Sequence, residues 1–353
     1  MKNNIVYFAT AALLLLLASC EEELSTPKDN LQEKVIAING WISSGDTLHT
    51  VKIVESSTSD GLVEAEGVAV SIYVNGMLSD RSAVGQRHGT PTKEYSLKAR
   101  FAPGDTVEIR AEGPDCRASV SSVIPEAPVV SGADYEGKAH VSYWEGSKSV
   151  DKEFNVYKFN LSDPDNKGDA YSVRLFREAE RILIADDYGE DYPFPSHYPV
   201  GWSEAYPKTQ IDAYNMLEPA MVVDQGLSDY INSNFTLFTD RYFCGAEYRV
   251  SILSVPGNWV EYMNTYGGRE TWSVKMKTTI RVEAIPSEAY RYYVDANFTG
   301  GGYVPMFYEP PVFPTNVKGG IGYVCFASAT EIEGGVEDVL VGWRGRELSA
   351  TAL

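Results

Sequence analysis

Apolar and polar residues alternate with a period of two along most of this chain. Val35 to Ile42 is strand-like, Ser43-Ser44-Gly45-Asp46 turns the chain, and His49 to Val54 is strand-like again. Val68, Val70, Ile72 and Val74 share one face of the next strand. Asn75-Gly76 then supplies the dipeptide that favours a type I′ hairpin, whose two central residues both need positive φ. Tyr95, Leu97, Ala99 and Phe101 alternate, Pro103-Gly104-Asp105 turns, and Val107, Ile109 and Ala111 alternate again, which predicts a third hairpin. Closely spaced strands with polar turns and no helical stretch predict an all-β fold, beginning with an immunoglobulin-like β-sandwich over residues 31–125. Pro125-Glu126-Ala127-Pro128 reads as a stiff extended hinge, and residues 129–353 as a second, larger β-rich domain with one or two short helices.

Within that second half, Trp272 to Ala284 is the clearest strand. Trp272, Val274, Met276, Ile280 and Val282 fall on one face, and Ser273, Lys275, Lys277, Arg281 and Glu283 on the other. The pattern predicts one buried and one solvated side. Pro286-Ser287 marks a helix start with Ser287 as N-cap, and Ala289, Tyr290, Tyr293 and Val294 follow helical spacing, as in a short helix plugging the end of the sheet.

The alternation is absent at the start of the chain. Met1 and Lys2 precede an apolar run from Ile5 to Leu17 broken only by Thr10. That run is too short for a membrane-spanning helix, which needs about 20 apolar residues, and it reads as a secretory signal peptide over residues 1–19. Leu17-Ala18-Ser19-Cys20 resembles the bacterial lipobox, in which the cysteine sulfur receives a diacylglycerol, so Cys20 is the expected lipidation site and the first mature residue. Acyl chains contribute about 0.8 kcal/mol per buried CH₂, enough for a multiply acylated cysteine to hold a protein on a membrane. Residues 20–30 form an acidic tether, opening with Glu21, Glu22 and Glu23.

Composition narrows the partners. The 353 residues are 44% apolar and carry a net charge of −19, which suits a folded exported module and excludes nucleic acid as a partner. After Cys20 only Cys116, Cys244 and Cys325 remain, too few and too widely spaced for a disulfide framework or a zinc site, although the spacing leaves open whether any two of them pair. Cys244 and Cys325 lie in apolar runs and read as small core residues.

Candidate chemistry is sparse. None of His49, His88, His140 and His197 sits in a metal-binding motif, and Gly201-Trp202-Ser203-Glu204-Ala205 lacks the second glycine of a nucleophile elbow. Asp163-Pro164-Asp165-Asn166-Lys167-Gly168-Asp169 has the acids of a calcium loop, but Lys167 stands where a ligand belongs, and a β-turn is the better reading. No catalytic, cofactor-binding or metal-binding residue is therefore assigned. The most unusual stretch is the aromatic loop 186–219, rich in tyrosine, proline and acids. Loops of this length are usually functional or disordered, its aromatic density argues against disorder, and its rings suit either a binding loop or a lid over its own core. Tyr192, Tyr198, Trp202 and Tyr206 are the candidates for ligand or partner binding.

Asn39-Gly40-Trp41-Ile42, the Asp163-Pro164 turn leading into Ala170-Tyr171-Ser172-Val173, the tyrosine-rich Ser287 helix, and Pro314-Thr315-Asn316-Val317-Lys318-Gly319-Gly320-Ile321-Gly322 together resemble the family catalogued as domain of unknown function 4249. The resemblance implies a Bacteroidota envelope lipoprotein, often encoded beside a TonB-dependent outer-membrane receptor. The acidic run after Cys20 resembles the export signal of surface lipoproteins in that group, which places the chain on the outer membrane and at the cell surface in preference to the periplasmic face. The function expected is that of a non-catalytic accessory lipoprotein, binding such a receptor or its glycan or peptide nutrient. An envelope hydrolase acting on glycan or peptide, and a structural or adhesive surface module, are the alternatives.

Overall fold

Alternation becomes strand throughout the residues that the computed structural model describes: 34–57, 61–87, 91–145, 148–163, 169–186, 198–211, 213–215, 236–241, 243, 245–254, 270–300, 314–342 and 346–348. In chain order the first strands are β1 (Lys34–Ser43), β2 (Leu48–Ser57), β3 (Gly61–Val63), β4 (Ala69–Val74), β5 (Met77–Ser82), β6 (Gln86–Arg87), β7 (Lys93–Lys98), β8 (Thr106–Glu112) and β9 (Arg117–Val123). Then come β10 (Val129–Glu145), β11 (Lys148–Ser162), β12 (Ala170–Asp186), β13 (Ser203–Ile211), β14 (Ala213–Asn215), β15 (Thr236–Thr239), β16 (Glu247–Ser254) and β17 (Glu270–Ile285). Helix α1 (Ser287–Gly300), β18 (Val324–Gly342) and β19 (Arg346–Leu348) complete the order. The class is all-β with one short helix among the described residues, and its first part is the expected sandwich.

That sandwich faces β1, β2, β7 and β6 of one sheet against the four-stranded sheet β5-β4-β8-β9. Ile36, Ile38, Val51, Ile53, Val70, Ile72, Tyr95, Leu97, Val107 and Ile109 fill the space between them. Asn75 and Gly76 both adopt positive φ, 51° and 78°, so the β4–β5 turn is the type I′ form that the dipeptide favours. The third hairpin is corrected. β7 pairs with β2 and β6, whereas β8 pairs with β4 and β9, so residues 99–105 carry the chain from one sheet to the other. Alternation identified the buried face of each strand, but it carries no information on the partner.

His49 lies inside this sandwich, stacked on Phe101 at 5.1 Å, with Nε2 3.3 Å from the Ala99 carbonyl. Burial lowers its pKa, against the raising effects of the Ala99 hydrogen bond and of Asp46. A lowered folded-state pKa means that the unfolded chain takes up the proton first, below the ordinary value near 6.5. Stability is then held above about pH 6.5 and declines as the pH falls below it. The expected result is that His49→Leu loses less stability than the unsubstituted chain between neutral and mildly acidic pH, as read by urea unfolding at each pH.

β1 joins the two halves of the molecule. Its residues Gly40–Ser43 pair in parallel with Val324–Ala327 of β18, and β18 then runs on as the antiparallel partner of β17, from Ser328 opposite Ala284 to Val341 opposite Trp272. The sheet of the sandwich therefore continues into a sheet of order β13-β12-β17-β18-β1-β2-β7-β6. Just upstream, residues 318–321 fill the gap between the two layers. Ile321 bridges Ala37 and Lys318 bridges Ser119, with hydrogen bonds from Ile321 N to Ile36 O (3.0 Å), Ile38 N to Ile321 O (2.9 Å) and Lys318 N to Ser119 O (2.7 Å). Glycine is required for so close an approach: a Cβ on Gly320 would stand 2.4 Å from Ile36 O, and one on Gly322 2.3 Å from Ile38 O.

The segment Pro125–Pro128 lies extended along β18. Ser328 Oγ donates to Glu126 O and Thr330 Oγ1 to Pro128 O, each at 2.7 Å, so two hinge carbonyls gain donors from the strand beneath. Beyond it, the sheet β10-β11-β16-β14 packs on β12 and β17 through Tyr157, Phe159, Leu161, Val173, Leu175, Phe238, Val250, Ile252, Ile280 and Val282. α1 begins one residue earlier than its sequence suggests, since Pro286 O accepts from Tyr290 N at 3.2 Å and so occupies the N-cap. Ala289 and the rings of Tyr290, Tyr292 and Tyr293 seal the β1–β18 junction against Tyr323, Cys325 and Trp41.

The solvated side expected for β17 holds at Ser273, Lys275 and Lys277 and is corrected at Arg281 and Glu283. Arg281 is buried, and its guanidinium reaches Asp46 Oδ1 and Glu331 Oε1 at 2.8 Å. Glu283 is fully buried and accepts hydrogen bonds from Trp41 Nε1 (3.0 Å), Ser43 Oγ (2.5 Å) and Arg174 Nε (3.0 Å). Polar residues at alternate positions signal water only when they lack partners inside the fold, and here the partners lie 50 or more residues away in sequence.

Candidate binding surface

The aromatic stretch is not a loop throughout. Residues 203–211 form β13, which returns along β12 with Ser203 opposite Ile182 and Ile211 opposite Leu175. The return is fixed by Gly201 N to Leu183 O (2.7 Å), Leu183 N to Trp202 O (3.0 Å) and Trp202 N to Pro199 O (2.9 Å). Gly201 supplies the φ of 90° on which that turn depends. The β12–β13 register slips between Arg177 and Ala179, beside Pro207, which has no N–H to give the ladder. Glu204 and Tyr206 are thereby brought against Arg181.

Three rings form a stack of graded exposure. Trp272 is fully buried, and its Nε1 donates to Glu270 Oε2 at 3.0 Å. Trp202 meets it edge-on at 5.9 Å, and Tyr198 lies flat on Trp202 at 4.0 Å. Tyr198 is 37% exposed and ends the stack at the surface. Beneath the rings sits the buried Arg181 guanidinium, 4.6 Å from the Trp272 centroid and 5.6 Å from those of Trp202 and Tyr206. Glu204 neutralises it at 2.6 Å and also accepts from the Tyr206 hydroxyl at 2.9 Å. Burial, reinforced by the bond to Glu204, pushes the Tyr206 pKa up to about 12, so its hydroxyl stays protonated at neutral pH.

Of the residues singled out from sequence, the structure therefore brings Tyr198, Trp202 and Tyr206 together, while Tyr192 and Cys20 lie outside the described residues. The inner part of the cluster matches the lid reading and its outer ring the binding reading. Arg181, Glu204 and Trp272 were not singled out as site residues. The parity of Tyr171, Val173, Leu175, Arg177 and Arg181 along β12 was a usable signal, since all five lie on odd positions and all are buried.

Such a surface suits stacking against a flat apolar ligand face or docking of a partner side chain. Elsewhere Glu337 and Glu283 are held in hydrogen-bond networks. Glu337 accepts from Tyr157 Oη at 2.9 Å and from Asn155 Nδ2 at 3.2 Å, with the buried Arg177 at 3.8 Å, and Glu283 is held by Arg174. Asp163, first residue of the turn with calcium-loop acids, accepts from Gly245 N at 3.1 Å, and residues 164–168 lie outside the described residues. Cys325 is buried as expected and is a free thiol, and Cys244 lies outside the described residues.

A family model described as "Domain of unknown function (DUF4249)" matches residues 21–333. No curated protein matches the chain. Among solved structures, the chain is similar at 12% identity and a TM-score of 0.17 to a Corynebacterium diphtheriae protein described as membrane anchored. That match covers 70% of this chain, which spans 55% of the other protein's length.

Proposed function

The chain belongs to the DUF4249 family, and on that footing we propose that it is a lipid-anchored envelope protein that binds and does not catalyse. In this reading Cys20 carries the lipid, the folded part stands at the outer surface of an outer membrane, and the partner is a TonB-dependent nutrient receptor or the glycan or peptide that the receptor carries. The observation that carries it is the graded Tyr198–Trp202–Trp272 stack, rigidly seated on Arg181 and the β12–β13 turn. Tyrosine and tryptophan concentrate binding energy where a ring is half-buried in its own protein and half-presented to another. The lipobox cysteine supports the anchoring.

Co-purification from detergent-solubilised envelopes of the native host, with mass spectrometry of the captured proteins, tests this reading. A TonB-dependent receptor is expected with the lipidated protein. Loss of one such aromatic anchor costs about 2 kcal/mol or more, so Tyr198→Ala should weaken capture more than tenfold. Tyr198 ends the stack at the surface, so the same variant should keep its thermal midpoint. Cys20→Ala should leave the membrane fraction. Capture of the protein alone, or unchanged capture by Tyr198→Ala, would count against the proposal.

A further inference from the structure

We propose that the basic cleft beside Lys318 is a membrane contact, which takes the phosphates of anionic lipid headgroups and sets how the anchored protein stands on the bilayer. The inference rests on the lipid-anchored reading of Cys20.

Arg110, Arg117 and Lys318 converge on a shallow cavity of about 170 Å³ on the outer face of the sheet β5-β4-β8-β9. In a chain of net charge −19 this is a local inversion of sign. Arg110 is held in place by two bonds to Glu108, at 2.8 and 2.7 Å, and by the Tyr73 ring at 4.2 Å. Glu112, the acid in the wall, lies 3.8 Å from Arg81 on its other side. Arg117 and Lys318 are exposed and make no ion pair among the described residues. Lys318 acts electrostatically on Glu108, and Arg117 stands opposite Glu112 in the β8–β9 ladder, so three cations meet two acids and a net positive charge remains in the wall.

The position of the cleft identifies what balances them. Gly320 stands against both the Ile36 carbonyl of β1, two residues after Lys34, and the Cβ of Ala118 in the wall of the cleft. Lys318 is bridged in turn to Ser119, opposite Arg110 in the β8–β9 ladder. The cleft therefore lies where the tether from Cys20 enters the fold. Fully extended at about 3.3–3.6 Å per residue, that tether reaches no more than about 50 Å, so the end of the sandwich bearing Lys34 is kept near the bilayer. The Debye length at physiological salt is about 8 Å. At that range the three cations of the cleft outnumber its two acids, Glu108 and Glu112. A phosphate between Arg117 and Lys318 would accept the charge-assisted bonds that nothing in the described fold supplies.

The test uses the full lipidated chain in vesicles of phosphatidylcholine, and of phosphatidylcholine mixed with phosphatidylglycerol. A water-soluble amine reagent labels lysines, and mass spectrometry compares Lys318 with Lys98, an exposed lysine at the end of β7 in the other sheet. Labelling of Lys318 relative to Lys98 should slow about fivefold on the anionic vesicles, the factor that one basic residue gains near such a surface. The slowing should vanish at about 1 M salt and in Arg117→Glu. Equal labelling on both vesicles would overturn the inference, as would protection by inorganic phosphate alone on neutral vesicles. A mature chain with no lipid on Cys20 would remove the anchor and this inference together, which mass spectrometry of the amino-terminal peptide distinguishes from the other outcomes.

Discussion

Replacing Glu283 with alanine should cost about 3–5 kcal/mol of folding stability, the range for removing one partner of a buried ion pair. The carboxylate is fully buried and gathers donors from two strands: Trp41 and Ser43 of β1, and Arg174 of β12. Without it the Arg174 side chain, 13% exposed, keeps a charge that it can neither neutralise nor fully hydrate, and the Trp41 indole loses its acceptor. The cost falls on the junction between the two halves, because β1 and β12 are not themselves paired. Urea unfolding should show the loss as a lower midpoint at an unchanged slope. Replacing both partners with apolar residues, as in Glu283→Leu with Arg174→Met, should recover much of it, since no orphaned charge then remains. A single-variant loss below about 1 kcal/mol, the size of a surface pair, would show that water reaches this carboxylate.

Gly322→Ala should be comparably damaging, through contact and not through charge. A Cβ there meets the Ile38 carbonyl oxygen at 2.3 Å, on a backbone whose φ of 98° already disfavours any side chain. The segment must move away, giving up the bonds between Ile321 and both Ile36 and Ile38, and that from Gly40 N to Tyr323 O at 3.2 Å. Overpacking and strain of this kind cost about 3 kcal/mol or more together. Gly76→Ala is the matched control, because its φ of 78° is also positive but nothing stands within 4 Å of its Cβ. It should cost only the left-handed backbone penalty of about 1–2 kcal/mol. Hydrogen exchange at Ile38 and Ile321 should rise in the first variant and not in the second. Equal losses would show that φ alone decides both positions.

The strands and their inward faces were legible because burial on one side of a sheet writes a period of two into the sequence. Asn75-Gly76 was legible because few residues tolerate positive φ. The pairing of β7 and β8 with different sheets was not legible, nor was the parallel contact of β1 with β18, since neither leaves a local mark. Asn39-Gly40-Trp41-Ile42 and the Gly319-Gly320-Ile321-Gly322 run were noticed only as parts of a family resemblance, and the fold now supplies a physical reason for them. Asn39 Oδ1 accepts from Tyr323 N at 3.1 Å and from Tyr292 Oη at 3.2 Å, and Gly40 O accepts from Tyr293 Oη at 3.3 Å. Those motifs hold the junction together. In the candidate site, aromatic density singled out Tyr198, Trp202 and Tyr206, but it passed over Arg181, whose burial depends on rings from two other strands.

The parallel contact between β1 and β18 also sets an order of events in synthesis. Tyr323 and Asn39, joined by a hydrogen bond, are 284 positions apart, so the first strand of the chain waits for one of the last. Contacts of such long range form slowly, because the loop between them must close first. Until residues 318–327 have been made, the amino-terminal sandwich has one layer unsealed and the parallel edge of β1 exposed. A chaperone that shields nascent chains would find its substrate there, in a module still open at the seam.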